Sequence, residues 1–440
     1  MKLPEPTPQP SIEGEVMAEF FRVFDRAYIQ EANRRYLPWS EFKYRALPVG
    51  CTLEPGQVWS VLDLLRRSGS AQLPLLDKNG VPFRLLMDEW TYHQVLAITA
   101  AASDPFDQSP IDAGARGQVV ANALMEEGIF SSLMEGAATT PRAAKEMLRQ
   151  GRSPNDRSER MIVNNYRTMQ MLGDKLDQPL TVDLIRELHA NVTAGTLDDA
   201  GDEGRIQQPG ETRVFVAGTQ GHILHEPPAA AALPQRLSAL CDFANDPDTL
   251  LPAPVRAILV HFQFAYEHPF VDGNGRTARA LFYWMMLKRG FPLFECLTIS
   301  REFNESKRKY GMAFVHSEQS NDLTYFVRHH LEVVNQSREA LTVYLRKRRA
   351  ERHDADQTLA QFPDLALSQR LVLKSVLNAP GTVVTGKAYA TEFQVSHPTA
   401  LKHLAELVEL GLMARRKRGR AFTFVGSANL KDLLGKSSST

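Results

Sequence analysis

The twelve residues from His268 to Arg279, HPFVDGNGRTAR, combine a histidine, a carboxylate, a glycine-rich turn and two arginines. A histidine has an ordinary pKa close to neutrality, so His268 is suited to accept a proton as a general base. Asp272 is the one carboxylate amid the positive charge, and a carboxylate in such a place suits Mg²⁺ bound to phosphates. The apolar run VRAILVHFQFAYE before His268 predicts a buried helix that delivers this histidine at its end.

The second half of the stretch is built for an anion. Gly273, Asn274 and Gly275 permit positive φ and close approach of the backbone, so consecutive N–H groups can form a concave nest. A helix is expected to start near Arg276, with its positive end facing the same space. Arg276 and Arg279 lie one turn apart and predict a phosphate clamp. The stretch is therefore equipped to bind a magnesium polyphosphate and deprotonate a hydroxyl beside it. The alternative is a helix–loop–helix with a polar turn and surface arginines.

The same stretch resembles the signature of the Fic domain, H-P-F-x-D-G-N-G-R-x-x-R, at every fixed position. The resemblance covers roughly residues 118–335. It implies an enzyme that moves AMP from ATP to a Ser, Thr or Tyr hydroxyl of a target protein and releases pyrophosphate. It further implies a role for each matching residue: His268 as the base, Asp272 as the Mg²⁺ ligand, Gly273, Asn274 and Gly275 at the α-phosphate, and Arg276 and Arg279 at the outer phosphates.

Two further features lie where this family carries functional elements. The segment from Arg213 to Glu226 predicts a hairpin at the place of the family's flap, which clamps a target by strand addition; an ordinary surface hairpin is the alternative. Downstream, Lys309 and Tyr310 stand where relatives often have paired tyrosines near the adenine, so Tyr310 is a candidate nucleotide ligand. His261 is expected to pack in the core.

An upstream segment, SSLMEGAATT, fits the pattern S/T-x-x-x-E-G/N through Ser131, Glu135 and Gly136. Ser131 and Glu135 share one helix face, and Gly136 is a favoured helix stop. A rival register at Glu127 lacks the hydroxyl. In relatives that carry this motif it is autoinhibitory, which implies a buried, bidentate pair between Glu135 and Arg279 that blocks the γ-phosphate clamp. The alternatives are a solvated helix end and a role of Glu135 in removing AMP.

The sequence as a whole predicts a mainly α protein of two or three domains. Its 440 residues carry 51 basic and 51 acidic side chains, so no global field directs it to nucleic acid or membrane. Three dispersed cysteines, and an N-terminus lacking an apolar h-region, predict a cytoplasmic protein, and no apolar run is long enough to span a membrane. The predicted domains are a mixed α+β region at 1–112, a Fic helical core with a short hairpin flap at 113–350, and a linker with a winged helix-turn-helix at 351–440. The inhibitory helix is expected at about 118–136.

The last segment predicts three helices followed by a hairpin, the order of a winged helix-turn-helix. Ser396 is a candidate N-cap for the third helix, whose apolar face comprises Leu401, Leu404, Leu407 and Val408. The basic turn contains Arg415, Arg416, Lys417, Arg418 and Arg420. DNA phosphate binding and a protein-interaction or dimerisation module remain open alternatives for it. The predicted partners are thus a target protein, the chain itself as AMP acceptor, duplex DNA, and a second copy in a homodimer.

Overall fold

The computed structural model describes residues 4–5, 7–8, 13–101, 113–218, 221–358, 364–378, 381–418, 421–428 and 430. Within these ranges the chain folds into eighteen α-helices and seven short strands. The predicted mainly α class is confirmed. The strands form three separate small sheets of two, two and three strands, so the helices carry the architecture of the described part.

The N-terminal part is mixed, as predicted. The helix that begins at Pro55 follows a capping box of Glu54 and Gln57. A hairpin around Asn79 follows as an antiparallel pair, and Gly80 in its turn has a φ of +82°. The elements are α1 Gly14–Val23, α2 Arg26–Arg35, α3 Trp39–Phe42, α4 Pro55–Ser68, β1 Ala71–Leu76, β2 Pro82–Leu85 and α5 Glu89–Ala100.

The central part is a helical bundle with one small hairpin. Its elements are α6 Ala113–Met134, α7 Pro141–Gln150, α8 Arg157–Met171, α9 Val182–Thr193, β3 Val216–Ala217, β4 Ile223–His225, α10 Leu233–Asn245, α11 Ala253–Glu267, α12 Asn274–Lys288, α13 Ile299–Glu305, α14 Lys307–Ser320 and α15 Thr324–Thr358. Helices α11 and α12 pack against each other at its centre, where Phe262, Phe264 and Trp284 are fully buried. They are buried on nearly all sides because other helices surround them.

The N-terminal part contributes to two apolar clusters, and one of them is shared with the bundle. Helices α1 to α4 pack around Trp59 in a cluster of their own. The β1–β2 hairpin and α5 instead contribute Leu73, Phe83 and Ile98 to the same core as Phe262 of α11. Because the hairpin shares this core, it is expected to unfold together with the bundle. The domain boundaries proposed from the sequence at residues 112 and 350 remain predictions.

The C-terminal part has its own core around Leu373, Tyr389 and Leu404. Its elements are α16 Leu367–Asn378, β5 Val384–Thr385, α17 Gly386–Phe393, α18 His397–Glu409, β6 Met413–Arg418 and β7 Ala421–Gly426, with the sheet order β5-β7-β6. The expected order of three helices and a hairpin is present, with β5 as an additional strand. It was missed because two residues carry no alternating pattern. Helix α17 packs against α6 and α7 of the bundle.

Helix α18 differs in one respect from its predicted form. Ser396 is its N-cap and accepts a hydrogen bond from the Thr399 N–H at 3.2 Å, as expected. Leu404 and Leu407 are fully buried, but Leu401 is 39% exposed, so the buried apolar face is narrower than the sequence indicated. The Arg418 side chain and Arg420, both predicted in the basic turn, lie outside the described residues.

Among the described residues, none of the helices combines the length and the apolar character that crossing a membrane requires.

Candidate functional site

The loop between α11 and α12 carries the proposed base. Helix α11 ends at Glu267, and His268 follows in the left-handed region with a φ of 45°. Phe270 is fully buried and fastens the loop to the core. Helix α12 begins at Asn274, two residues earlier than expected, because Gly273 serves as its N-cap with a φ of +82°. Gly273 is therefore the one position of the glycine-rich turn that needs positive φ.

Asn274 closes this loop on itself. Its side-chain Oδ1 accepts from the Phe270 N–H at 3.0 Å, and its Nδ2 donates to the Phe270 carbonyl at 2.7 Å. The side chain is only 2% exposed. Since both ends of the amide are used by the loop, the backbone N–H groups at the start of α12 are the donors that remain for an anion.

Asp272 and Arg276 lie close together at the rim of the loop. The Asp272 carboxylate is 44% exposed and lies 3.9 Å from Arg276 Nη2 and 3.5 Å from Arg157 Nη2. Arg276 is fully buried, and its Nη1 donates to the Val192 carbonyl at 2.7 Å. Its Nε and Nη2 are buried without a hydrogen-bond partner. Buried donors of this kind are costly unless an acceptor satisfies them, so this corner suits an anionic ligand.

Arg279 is brought to the end of α6, as the resemblance implied. Its Nη2 donates to Glu135 Oε1 at 2.9 Å and to the Ser131 carbonyl at 2.9 Å. Its Nε donates to the Ser131 hydroxyl at 2.8 Å. The contact with Glu135 is single and not bidentate as expected, because Ser131 occupies the Nε that a second carboxylate bond would use.

The Glu135 carboxylate covers the first turn of α12. Helix α6 ends at Met134, and Gly136 follows Glu135 with a φ of +90°. A Cβ atom at Gly275 would overlap the Glu135 carboxylate, so this glycine permits the close approach. Burial by itself raises the pKa of Glu135, but the adjacent Arg279 outweighs it and holds the pKa below its ordinary value. The carboxylate is thus ionised at neutral pH.

Glu127 of α6 is the carboxylate of the rival register that the sequence offered. Glu127 is buried, and its Oε2 accepts from the Tyr283 hydroxyl at 2.8 Å and from the Ser300 N–H at 3.0 Å. Burial raises its pKa. Near the other end of the helix, Lys307 Nζ donates to the Met134 carbonyl at 2.5 Å. The register is therefore the predicted one, with Glu127 anchoring the helix and Glu135 at Arg279.

His268 is partly buried and poised in its neutral form. Burial, with a further contribution from the nearby His225, lowers the pKa of His268 to about 4. Arg213 holds the main chain at this point, because its Nη2 donates to the carbonyls of Glu267 at 2.6 Å and His268 at 3.1 Å. This role of Arg213 was not predicted, and its position at the start of the predicted hairpin was the available signal.

The hairpin of β3 and β4 stands beside His268, and its prediction is confirmed. His225 fastens β4, because its Nε2 lies 2.7 Å from the Tyr266 carbonyl and its Nδ1 lies 2.9 Å from Glu318 Oε2. Residues 219 and 220 at the tip lie outside the described ranges. The proposed role of the hairpin as a target-binding flap stays a prediction.

Tyr310 lies behind Arg279 in a buried aromatic cluster. Burial raises the pKa of Tyr310 to about 12, although the neighbouring Arg279 opposes this. Its hydroxyl lies 3.0 Å from Nε2 of His261, which is fully buried as predicted. The structure thus brings Tyr310 to the arginine of the motif, while contact with a nucleotide remains a prediction.

The stretch that carries this site is similar in sequence to known proteins. Residues 179–286, which include the hairpin and the whole loop, match the model of the Fic/DOC family.

This part of the chain is similar to Fic domains. The chain is 36% identical over 117 residues to protein adenylyltransferase Fic of Nematostella vectensis, a match covering 26% of this chain and 25% of that protein. It is 34% identical over 122 residues to protein adenylyltransferase fic-1 of Caenorhabditis elegans, covering 28% and 22%. It is 30% identical over 168 residues to protein adenylyltransferase Fic of Drosophila grimshawi, covering 38% and 32%. The chain thus spans only between 22% and 32% of the length of these relatives.

Among solved structures, a Fic family protein from Desulfovibrio desulfuricans aligns over 77% of this chain and 95% of its own, with a TM-score of 0.47 and 17% identity. A fragment of Fic-1 from Caenorhabditis elegans aligns over 58% of this chain and 71% of its own, with a TM-score of 0.46 and 21% identity. The matched Fic range begins after α6, so Ser131 and Glu135 lie outside it.

Proposed function

We propose that this chain transfers AMP from ATP to a Ser, Thr or Tyr hydroxyl of a target protein, releases pyrophosphate, and is restrained by Glu135. The observation that carries the proposal is a neutral His268 beside an anion-binding loop. That loop offers the α12 N-terminus and the two unpartnered donors of Arg276. The names of the matched relatives support the same reaction.

The reaction needs few groups. His268 accepts the proton of the target hydroxyl as its oxygen attacks the α-phosphorus. The new bond joins that oxygen to the α-phosphorus, the bond from the α-phosphorus to the oxygen bridging to the β-phosphate breaks, and pyrophosphate leaves. The backbone N–H groups of Asn274 and Gly275 and the Arg276 donors would hold the phosphates during this step.

Mg²⁺ fits the site through a single carboxylate. Across the described ranges, no group of three or more His, Cys, Asp or Glu side chains is arranged to hold a metal ion. Mg²⁺ beside a nucleotide commonly takes one or two carboxylates together with phosphate oxygens and water, so the exposed Asp272 carboxylate meets the requirement. When bound there, the ion would neutralise phosphate charge.

Glu135 would restrain transfer through competition for Arg279. The guanidinium is buried and already donates to Ser131 and Glu135, so a γ-phosphate oxygen would have to displace the carboxylate. Removing the carboxylate should free Nη2 for the phosphate. The same carboxylate could instead position a water to remove AMP, and the experiment below distinguishes the two roles.

The test measures label from ATP labelled on its α-phosphate, with Mg²⁺, in unsubstituted chain, Glu135→Gly and Glu135→Gly/His268→Ala. We expect Glu135→Gly to raise incorporation about tenfold, since about 1.4 kcal/mol of realignment suffices for that. The double variant should return to background. Glu126→Gln is the matched control, because Glu126 lies on the same helix but pairs with Lys145 and Arg301. A chain that stays inactive in all variants contradicts AMP transfer; faster loss of label from premodified target with Glu135 present supports AMP removal.

We also propose that the C-terminal part binds duplex DNA as a winged helix. Arg415, Arg416 and Lys417 are exposed on β6. Arg415 and Lys417 share one face of the strand, and the Arg415 guanidinium lies 4.7 Å from the centre of the Phe422 ring. Such cations suit phosphates. The dispersed cysteines support a cytoplasmic location. We also propose that the chain can itself accept AMP and that it forms a homodimer.

A further inference from the structure

His189 of α9 lies directly beneath the loop of the Fic signature, although the signature does not include it. Its side chain is fully buried. The ring stacks on Phe270, with centres 3.6 Å apart and planes 9° from parallel. Its Nε2 lies 2.7 Å from the Asp272 carbonyl oxygen, and the Gly204 N–H donates to its Nδ1 at 2.9 Å. Both ring nitrogens are therefore engaged with the main chain.

These two partners determine where the ring proton lies. The Asp272 carbonyl oxygen can only accept a hydrogen bond, and the Gly204 N–H can only donate one. His189 must therefore carry its proton on Nε2 and leave Nδ1 as an acceptor. The bond from Gly204 thus orients His189 toward Asp272, in the way that outer partners orient the ligands of a metal site.

The bond to Asp272 fixes a peptide plane inside the loop. In a trans peptide the carbonyl and the following N–H point in opposite directions. Holding the Asp272 carbonyl at His189 therefore turns the Gly273 N–H away from α9, where it donates to Asp272 Oδ1 at 2.6 Å. The Gly273 N–H and the Asp272 carboxylate are therefore oriented together.

The rest of α9 leaves this plane little freedom. A Cβ atom at Gly273 would lie 2.5 Å from Thr193 Cγ2 and 3.1 Å from His189 Nε2, so the loop rests on the helix without a gap. Arg276 Nη1 donates to the Val192 carbonyl at 2.7 Å in the following turn. Rotation of the Asp272–Gly273 peptide would therefore break its bond to His189.

We propose that His189 is a positioning residue for AMP transfer: its Nε2–H holds the Asp272–Gly273 peptide so that the Gly273 N–H, by donating to Asp272 Oδ1, turns the Asp272 carboxylate toward the Mg²⁺ of ATP. The inference rests on the proposed function, because that function defines ATP with Mg²⁺ as the ligand of the loop. It differs from a packing role, in which only the volume of the ring and its stacking on Phe270 would matter.

Two amide substitutions separate these roles. In His189→Gln the side-chain nitrogen can reach the position of Nε2 and still donate to Asp272, whereas His189→Asn can accept from Gly204 but is too short to reach Asp272. Both lose the ring and its stacking. The parent is the full chain with Glu135→Gly to free Arg279 and His268→Ala to prevent turnover. Binding of ATP is measured by calorimetry with Mg²⁺ and with EDTA.

We expect His189→Asn to weaken binding of Mg²⁺-ATP by about tenfold or more, a typical loss for an outer partner of a metal site. His189→Gln should stay within about threefold of the parent, because the orienting donor is kept. In EDTA the difference between the two variants should shrink. His316→Gln and His316→Asn, in a partly buried histidine of α14, should bind as the parent does.

Equal losses in His189→Gln and His189→Asn would overturn the proposal in favour of packing. Ring-nitrogen NMR of the parent gives a test that does not depend on the folding of either variant: a proton on Nδ1 of His189 would also overturn it, and a proton on Nε2 supports it. A parent that folds, shows the Nε2 proton and yet binds no Mg²⁺-ATP would count against the proposed function, not against this hydrogen-bond arrangement.

Discussion

The Arg279 guanidinium donates a hydrogen bond to the hydroxyl of Ser131, 148 residues earlier in the chain, at 2.8 Å. The carbonyl of the same serine accepts a second bond from Arg279 at 2.9 Å. Ser131 thus accepts hydrogen bonds from Nε and from Nη2 of the guanidinium, and Glu135 accepts a further bond from Nη2. The serine of this motif is a direct partner of the arginine, so the proposed restraint is shared between the hydroxyl and the carboxylate.

Ser131→Ala should therefore relieve part of the restraint. The change removes one hydrogen bond to a charged donor and frees Nε, so we expect AMP transfer to rise about fivefold, corresponding to about 1 kcal/mol. The rise should be smaller than with Glu135→Gly. The measurement is the initial rate of label incorporation from α-labelled ATP.

The adjacent Ser132→Ala is the matched control for Ser131→Ala. Ser132 is equally buried on α6, but its hydroxyl donates to the Gly128 carbonyl at 2.8 Å and does not touch Arg279. The initial rate of label incorporation by Ser132→Ala should equal that of the unsubstituted chain. If Ser132→Ala activates as much as Ser131→Ala, loosening of α6 in general, and not the bond to Arg279, explains the effect.

Glu127→Ala should lower the free energy of unfolding by about 2–4 kcal/mol, because the Tyr283 hydroxyl and the Ser300 N–H would both lose a buried acceptor. Glu127→Gln should lose less, since its amide oxygen can still accept. Urea unfolding followed by circular dichroism gives both values. A loss under about 0.5 kcal/mol for Glu127→Ala, the range of ordinary surface changes, would contradict the anchoring role.

The pH dependence of transfer should follow the lowered pKa of His268. With a pKa of about 4 the imidazole is neutral, and able to accept a proton, throughout the range from pH 6 to 8. The value of kcat/KM for Glu135→Gly should therefore be flat over that range with respect to this group and fall as the pH approaches 4. Circular dichroism at each pH identifies loss of fold. A midpoint near pH 6.5 would indicate an unperturbed base instead.

Replacing Arg415 and Lys417 by alanine should weaken binding of a fluorescent DNA duplex by the full chain. If each contacts a phosphate, the slope of log affinity against log salt should flatten by about two units. Arg346→Ala with Lys347→Ala, two exposed cations on α15, removes the same charge elsewhere and should leave the slope unchanged. Failure of the unsubstituted chain to bind any duplex at low salt would favour a protein-interaction role.

The sequence by itself determined the loop, since its conformation is local. A proline after His268 ends α11, Gly273 accepts the left-handed turn, and Asn274 bonds to a residue only four positions away. Helices with a continuous apolar face and hairpins around a glycine turn were predictable for the same reason. These features depend on neighbours along the chain, so residue types and spacing suffice to indicate them.

Tertiary structure alone decided which distant groups meet that loop. Whether Glu127 or Glu135 reaches Arg279 depends on how α6 packs against its neighbouring helices, where Tyr283 of α12 and Ser300 of α13 fix Glu127. The bond from Arg276 to Val192 and that from His189 to Asp272 likewise join residues 84 and 83 positions apart. Such contacts are set by the close packing of whole helices, which no local propensity encodes, and for that reason they appear only once the chain is folded.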